Sequence, residues 1–141
     1  MHLLRPGAEV LACYTQPRWG TAVRHRHLAT TKFFSCSCPR CSDPAECGAL
    51  SSAMRCPGPA CPGPVLPPRP PHLTPGPAPD WACQLCGAGI PHRKVVTMQN
   101  CGAQLVHSRQ PGPAPTRAVL DRLNTWFHPN HYTVMEVGIT V

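Results

Sequence analysis

The sequence has few charged residues, very few acidic ones and no long apolar run. Charged residues make up 13% of the 141 residues, with 6 Asp and Glu against 13 Lys and Arg. No stretch approaches the roughly 18 consecutive apolar residues of a membrane-spanning helix, so we expect no membrane association. The N-terminus also lacks the apolar segment of a signal peptide, which favours an intracellular protein of the nucleus or the cytoplasm.

Proline, glycine and cysteine are abundant instead. The chain contains 20 prolines, 11 glycines and 10 cysteines. This composition is unsuited to one large hydrophobic core, and thiols in a reducing compartment bind metals rather than form disulfides. The composition therefore predicts a small, irregular fold that is stabilised by zinc, and the local strand and helix patterns given below make it an α+β fold.

Three cysteines lie within six residues, at Cys36, Cys38 and Cys41. Zinc prefers four thiolate or imidazole ligands in a tetrahedron, and one tight turn with this spacing can supply three of them. We therefore predict a zinc knuckle whose fourth ligand comes from elsewhere. Cys47 is a candidate for that ligand, although nothing in the spacing requires it.

A second group of cysteines consists of the pair Cys56 and Cys61 and the pair Cys83 and Cys86, which follows Trp81. Two separated pairs of this kind are typical of a ribbon-type zinc site. The first pair is spaced more widely than in a usual knuckle and encloses prolines, which favours the first cysteine group over the second as a zinc site.

The prolines are concentrated in one part of the chain. Eleven of the twenty lie between Pro57 and Pro79. Because proline has no amide donor, this stretch is predicted to be an extended, mobile loop that contains no inner strand.

Local patterns predict regular structure on both sides of this loop. Residues 9–14 favour a short strand, and residues 21–31 favour a short helix that leads into the knuckle. Thr116 is suited to cap a helix that begins near Arg117. One or two helices are expected in the C-terminal part, and the apolar face of the capped helix has no obvious partner there.

Several segments occur in an order that resembles the end of a SET domain. More closely, the chain resembles the SMYD family of SET and MYND-finger protein-lysine methyltransferases, and within it the arthropod SmydA-like group. The resemblance is carried by Pro6-Gly7-Ala8-Glu9-Val10, Tyr14, Trp19-Gly20-Thr21, Lys32-Phe33-Phe34, the knuckle cysteines, Asp43-Pro44, Glu46, Trp81-Ala-Cys83-Gln-Leu-Cys86 and His128-Pro-Asn-His-Tyr132.

The resemblance implies a division of the chain into four parts. Residues 1–31 would be the C-terminal end of the SET β-fold, and residues 32–48 the post-SET zinc knuckle. Residues 49–90 would be a proline-rich segment with the cysteine pairs of a zinc ribbon. Residues 91–141 would be a linker and the start of the helical C-terminal region.

The resemblance also implies the chemistry of the parent protein, a methyl transfer from S-adenosylmethionine to a protein lysine of a histone or another substrate. Tyr14 matches the tyrosine that lies beside the transferred methyl group. Phe34 matches the residue that packs against the adenine of the cofactor, and Phe33 would line the lysine channel. Alignment of the reacting groups supplies most of the rate in such a transfer.

The family's glycine-rich cofactor strand, its Asn-His-Ser-Cys segment and its MYND finger are not found in this sequence. We therefore expect a C-terminal fragment that is inactive by itself. The alternative is a non-catalytic zinc-binding protein-interaction module.

The net charge of +7 also fits nucleic-acid binding. We do not favour it, because neither interleaved aromatic residues nor a recognition helix accompany the basic residues.

Cys13, Cys47 and Cys101 are isolated and are predicted to be ordinary thiols. His128 and His131 could chelate a metal, but a capping and packing role at a helix end is favoured.

Overall fold

The computed structural model describes residues 5–8, 12–68 and 77–138. These residues form an α+β fold, as the sequence predicted, with five helices and four short strands. In chain order the elements are α1 (Thr21–Thr31), α2 (Pro39–Ser42), β1 (Met54–Arg55), β2 (Pro64–Leu66), β3 (Trp81–Cys83), β4 (Gly89–Ile90), α3 (His92–His107), α4 (Pro113–Trp126) and α5 (Tyr132–Gly138). No helix among them is long and apolar enough to cross a membrane.

The four strands form one antiparallel sheet in the order β1-β2-β3-β4. Met54 pairs with Val65, Val65 with Cys83, and Trp81 with Ile90. The alternation of side chains along a strand places Trp81 and Cys83 on the same, buried side of β3. The second group of cysteines therefore lies directly at the sheet: Cys83 is the last residue of β3, and Cys56 follows β1.

The hydrophobic core lies between this sheet and the three C-terminal helices. Helix α4 packs against α3, α5 and β1, and α3 also packs against α5. The core contains Met54, Cys56, Val65, Trp81, Cys83, Ile90, Val95, Leu123, Phe127, Val134 and Val137. The apolar face of α4 thus has its partner in the sheet and in α3, although the sequence showed no obvious one.

The N-terminal part contains a helix but no strand among its described residues. The predicted helix over residues 21–31 is confirmed as α1. The strand predicted over residues 9–14 is wrong for residues 12–14, which have no regular structure, and residues 9–11 lie outside the described residues. A strand forms only where its amides and carbonyl groups can make hydrogen bonds with a neighbouring strand. The four described strands pair with one another within residues 54–90 and leave none for residues 12–14.

The prediction that no inner strand occurs between Pro57 and Pro79 is wrong. Strand β2 lies in this stretch and pairs on both edges, with β1 and with β3. Pro64 is tolerated because it is the first residue of the strand, where proline is allowed. Its carbonyl oxygen accepts a hydrogen bond of 3.0 Å from the amide of Gln84.

The C-terminal part is more helical than predicted, with three helices rather than one or two. Helix α3 lies at the start of residues 91–141, for which a linker and the beginning of a helical region were predicted. Helix α4 begins at Pro113, not near Arg117, so Thr116 lies inside its first turn. Its hydroxyl donates to the carbonyl oxygen of Gly112 at 2.6 Å instead of capping the helix. Proline suits a first helical turn because the amides there have no partner within the helix.

Candidate metal centres

The second group of cysteines forms a complete set of four thiols. The sulfur atoms of Cys56, Cys61, Cys83 and Cys86 all lie within 4.8 Å of one another. Two come from the turn between β1 and β2, and two from the end of β3 and the turn after it. A tetrahedral zinc ion with four thiolate ligands requires this arrangement of two knuckles facing each other.

Backbone amides stabilise negative charge at one of these sulfurs. Hydrogen bonds from the amides of Cys86 and Leu85 lower the pKa of Cys83 to about 6. The pKa of Cys56 rises to about 12, because burial and the neighbouring thiols outweigh the hydrogen bond from the amide of Gly58. Four thiolates this close repel one another in the absence of a cation, and a divalent metal removes that repulsion. The donor set therefore fits zinc.

The first group of cysteines forms an incomplete set. The sulfur atoms of Cys36, Cys38 and Cys41 lie within 4.8 Å of one another, and no fourth His, Cys, Asp or Glu of the described residues joins them. The short helix α2 brings Cys41 back towards Cys38. Cys47 is exposed and lies outside the group, with its amide donating to Asp43 Oδ2 at 2.7 Å.

The pKa values of the knuckle thiols differ in direction. Hydrogen bonding, first from the amide of Cys41, lowers the pKa of Cys38. Burial and the thiols of Cys38 and Cys36 raise the pKa of Cys41 to about 11, against the opposing effect of Arg24. Ionisation of the buried Cys41 thiol is therefore unfavourable in free energy. A metal ion offsets this, because it deprotonates its ligands outright.

A cleft of about 400 Å³ opens beside the knuckle. Its lining includes the three knuckle cysteines, Tyr14, Phe34, Arg24 and Arg40. The rings of Tyr14 and Phe34 meet edge to face with their centroids 6.0 Å apart. Both are exposed, by 57% and 41%, and Phe33 is 87% exposed and does not line the cleft. The structure thus brings Tyr14 and Phe34 to the thiols and leaves Phe33 apart.

A buried carboxylate joins the knuckle to the rest of the molecule. Glu46 is 1% exposed and forms ion pairs with Arg24 at 3.2 Å and Arg40 at 3.3 Å. It also accepts hydrogen bonds from the amide of Thr21 and the hydroxyl of Ser52. Sequence reasoning used Glu46 only as part of a motif and gave it no role. The proximity in sequence of a glutamate and an arginine to the knuckle cysteines was the available signal.

The environment of Glu46 keeps it ionised. Burial alone would raise its pKa, but the hydrogen bonds from Ser52 and Thr21 and the charge of Arg24 together lower it. A buried carboxylate is stable only with such partners. Loss of any one of them would therefore affect the attachment of the knuckle.

The two histidines near the C-terminus, His128 and His131, join no group of three or more potential metal ligands among the described residues. His131 is fully buried, with its ring stacked on Phe127 at 4.2 Å and on Tyr132 at 4.6 Å between centroids. The amides of His128 and Tyr132 donate to the carbonyl oxygens of Ala53 and Ser51. This segment therefore attaches α5 to the chain just before β1, which is the packing role that the sequence favoured.

Comparison with known proteins gives one clear relationship. The chain is 36% identical to SET domain-containing protein SmydA-8, isoform B, of Drosophila melanogaster over 103 residues, which are 73% of this chain and 22% of that protein. For isoform A the identity is 35%, over 73% of this chain and 21% of that protein. No protein-family model matches the chain. No solved structure matches it significantly.

The chain spans about a fifth of the length of the curated relatives that it matches. The identity extends well beyond the cysteines, because it is spread over 103 residues. The resemblance that the motifs indicated is confirmed: over the matched residues, this chain belongs with the SmydA-like SET-domain proteins of the SMYD family.

Proposed function

We propose that the chain supplies the post-SET, zinc-binding part of an S-adenosylmethionine-dependent protein-lysine methyltransferase and has no such activity by itself. The observation that supports this most directly is the cleft in which Tyr14 and Phe34 meet the three knuckle thiols. A structural zinc at the knuckle would fix the segment between these aromatic residues and Cys41. The cofactor, when bound, would supply an activated methyl group.

Within this proposal each aromatic residue has a distinct role. The hydroxyl of Tyr14 orients the amine of the target lysine, and Phe34 packs against the adenine. Phe33, which does not line the cleft, would form part of the lysine channel in the longer protein. The Tyr14 ring contacts Phe34 edge to face, but Tyr14 remains 57% exposed. The geometry of the reacting groups would therefore depend on further walls of the site.

The exposure of these residues is the reason to expect no activity from the chain alone. Tyr14 and Phe33 are 57% and 87% exposed, so they do not enclose a channel that excludes water. Alignment in a closed channel is the main source of rate for this transfer, because the leaving group is already activated. An open surface provides little of that alignment.

Three measurements test the proposal. Calorimetric titration of the 141-residue chain with S-adenosylmethionine should show no binding, and the chain should transfer no methyl group to histone or other lysine-containing peptides. In a longer SET protein that contains this segment, Tyr14→Phe should lower the rate of methyl transfer about 10²-fold, the scale of a misplaced reacting group. The matched change Tyr132→Phe, at a ring stacked on His131, should leave the rate unchanged. Equal effects of the two variants would count against the proposal.

A second candidate is a non-catalytic zinc-binding interaction module. It is favoured by the four-thiol cluster, which is complete within the chain and lies against the hydrophobic core. The two candidates differ in the role of Tyr14. An interaction module retains its function in the Tyr14→Phe variant, and the longer protein then retains full methyl transfer.

A further inference from the structure

The guanidinium of Arg24 is directed at a sulfur of the knuckle. Its Nη2 atom donates to Cys41 Sγ at 3.4 Å and to Thr21 Oγ1 at 2.9 Å. Its Nη1 atom donates to the carbonyl oxygen of Trp19 and to Glu46 Oε2. Arg24 is 4% exposed, so these contacts hold a charged group out of water and in one orientation. Cys41 Sγ is therefore one of the few hydrogen-bond acceptors within reach of the guanidinium.

A buried arginine needs compensating negative charge, and Glu46 supplies part of it. Glu46 also pairs with Arg40, which is partly exposed and donates to the carbonyl oxygen of Pro17 and to Ser51 Oγ. The network therefore contains two guanidinium groups and one carboxylate, with a formal charge of +1. The carboxylate does not neutralise both cations.

The knuckle offers the matching negative charge when it holds zinc. Three thiolates around one Zn²⁺ ion carry a formal charge of −1. With three neutral thiols and no metal, the buried network keeps its excess of one positive charge. The network and the metal site thus match in charge, and Arg24 connects them through Cys41.

We propose that Arg24 is an outer-sphere partner of the knuckle metal, oriented by Glu46, and that it stabilises the metal-bound thiolate of Cys41. This inference depends on the proposed binding of zinc at the knuckle. Hydrogen bonds to metal-bound ligands reduce charge on the ligand and fix its position, and their removal weakens metal affinity. Arg24 is a positioning residue and is not itself a ligand.

The test compares metal affinity in Arg24→Gln and Arg26→Gln, using the whole chain. Arg26 lies on the same helix and is exposed, so both variants lose one positive charge but only the first loses the contact with sulfur. Zinc affinity is measured by competition with a chromophoric chelator. The same measurement on Cys38→Ser variants, which lack one knuckle thiol, reports zinc binding by the four-thiol cluster alone.

Arg24→Gln should lower the zinc affinity of the knuckle about 10- to 100-fold, with the four-thiol cluster unchanged as an internal control. Arg26→Gln should leave both affinities within about two-fold, since exposed charges have little effect. Arg24→Lys, which keeps the charge and can still donate, should recover most of the loss. It is also the variant to measure if Arg24→Gln does not fold.

Substitution of cobalt(II) for zinc provides a readout that a merely structural role would not change. Loss of a hydrogen bond to a bound thiolate raises the energy of the sulfur lone pairs, so the sulfur-to-cobalt charge-transfer band of the knuckle should move to longer wavelength in Arg24→Gln. Arg24→Lys should give an intermediate band. A band in Arg24→Gln at the position of the unsubstituted protein, or equal losses of affinity in Arg24→Gln and Arg26→Gln, would overturn the inference.

The outcomes separate this inference from the proposed function. If the unsubstituted knuckle binds neither zinc nor cobalt, zinc binding at the knuckle is wrong and the inference falls with it. If the knuckle binds metal and Arg24→Gln changes neither the affinity nor the spectrum, only the role of Arg24 is wrong.

Discussion

Cys56 Sγ lies 3.4 Å from Cys86 Sγ, across 30 residues of chain. Cys61 Sγ lies 3.7 Å from Cys83 Sγ, so each thiol of one pair is close to a thiol of the other. Strand β2 lies between the two cysteine pairs in the chain and pairs with both of its neighbours. A metal ion at this point would hold together two turns and three strands.

Removal of one thiol from this cluster should release zinc and destabilise the whole sheet. We expect Cys86→Ser to lose one bound zinc ion per chain and to lower the midpoint of thermal unfolding by about 10 °C or more, since each kcal/mol corresponds to several degrees in a domain of this size. Cys101→Ser is the control, because Cys101 belongs to neither thiol group. Zinc content by mass spectrometry and unfolding by circular dichroism give the result. Unchanged zinc content in Cys86→Ser would contradict the prediction.

Replacement of Gly63 by alanine should disturb the same four-thiol cluster. A Cβ atom there would lie 2.6 Å from Cys83 Sγ and 2.6 Å from Leu85 Cβ. We expect Gly63→Ala to lower the zinc affinity of the four-thiol cluster at least about ten-fold, on the scale of other changes next to metal ligands. Gly89→Ala, whose Cβ meets only Trp81 O at 3.7 Å, should leave it unchanged. Chelator competition measures both, and similar affinities would show that the turn adjusts.

Gly102 on α3 should resist substitution although alanine favours helices. A Cβ atom there would lie 2.7 Å from Phe127 Cε2. We expect Gly102→Ala to lower the free energy of unfolding by about 1–3 kcal/mol through overpacking, despite a gain of roughly 1 kcal/mol in helix propensity. Gly138→Ala on α5, with open space at its Cβ, should be neutral or stabilising. Denaturant unfolding of both variants tests the difference, and a stabilising Gly102→Ala would contradict it.

His131 should make the fold sensitive to acid. Burial, with a smaller effect from His128, lowers its pKa to about 3. Because this pKa lies below the usual value, the unfolded chain binds the proton first, so stability present above about pH 6.5 is lost as the pH falls towards 3. The slope is at most about 1.4 kcal/mol per pH unit. His131→Phe should have a flatter profile of unfolding free energy than the unsubstituted protein.

The exposed His107 provides the matched control for this titration. His107→Phe should keep the original pH profile. Since metal release at low pH affects all three proteins alike, the comparison is between their slopes. Parallel profiles for His131→Phe and the unsubstituted protein would mean that His131 does not contribute.

Local spacing was enough to predict some parts of the fold. The helix over residues 21–31 and the grouping of the three knuckle thiols both depend on residues near one another in the chain. The grouping of Cys56 and Cys61 with Cys83 and Cys86 was also indicated, although the prolines made it the less favoured site. The structure completes that group and leaves the knuckle with three thiols. Zinc binding at either group stays a prediction.

Features that depend on tertiary packing were not predicted. Helix α3 contains Val95, Val96, Thr97 and Gly102, which are weak helix formers, and it is stabilised by burying Val95 and Gly102 against the core. Strand β2 requires two neighbours that no local pattern reveals. The burial of Arg24 and Glu46 likewise follows from where α1 meets the knuckle, which spacing alone does not show.

The pairing of Leu66 with Ala82 fixes both ends of the segment that joins β2 to β3. Once the ends of a loop are held, its closure entropy grows only with the logarithm of its length, by about 0.6 kcal/mol for each doubling. Relatives can therefore differ widely in the length of this connection and keep the same strand register. We therefore expect an epitope tag or a fluorescent label inserted between Pro68 and Pro77 to leave the pairing of β2 with β3 unchanged.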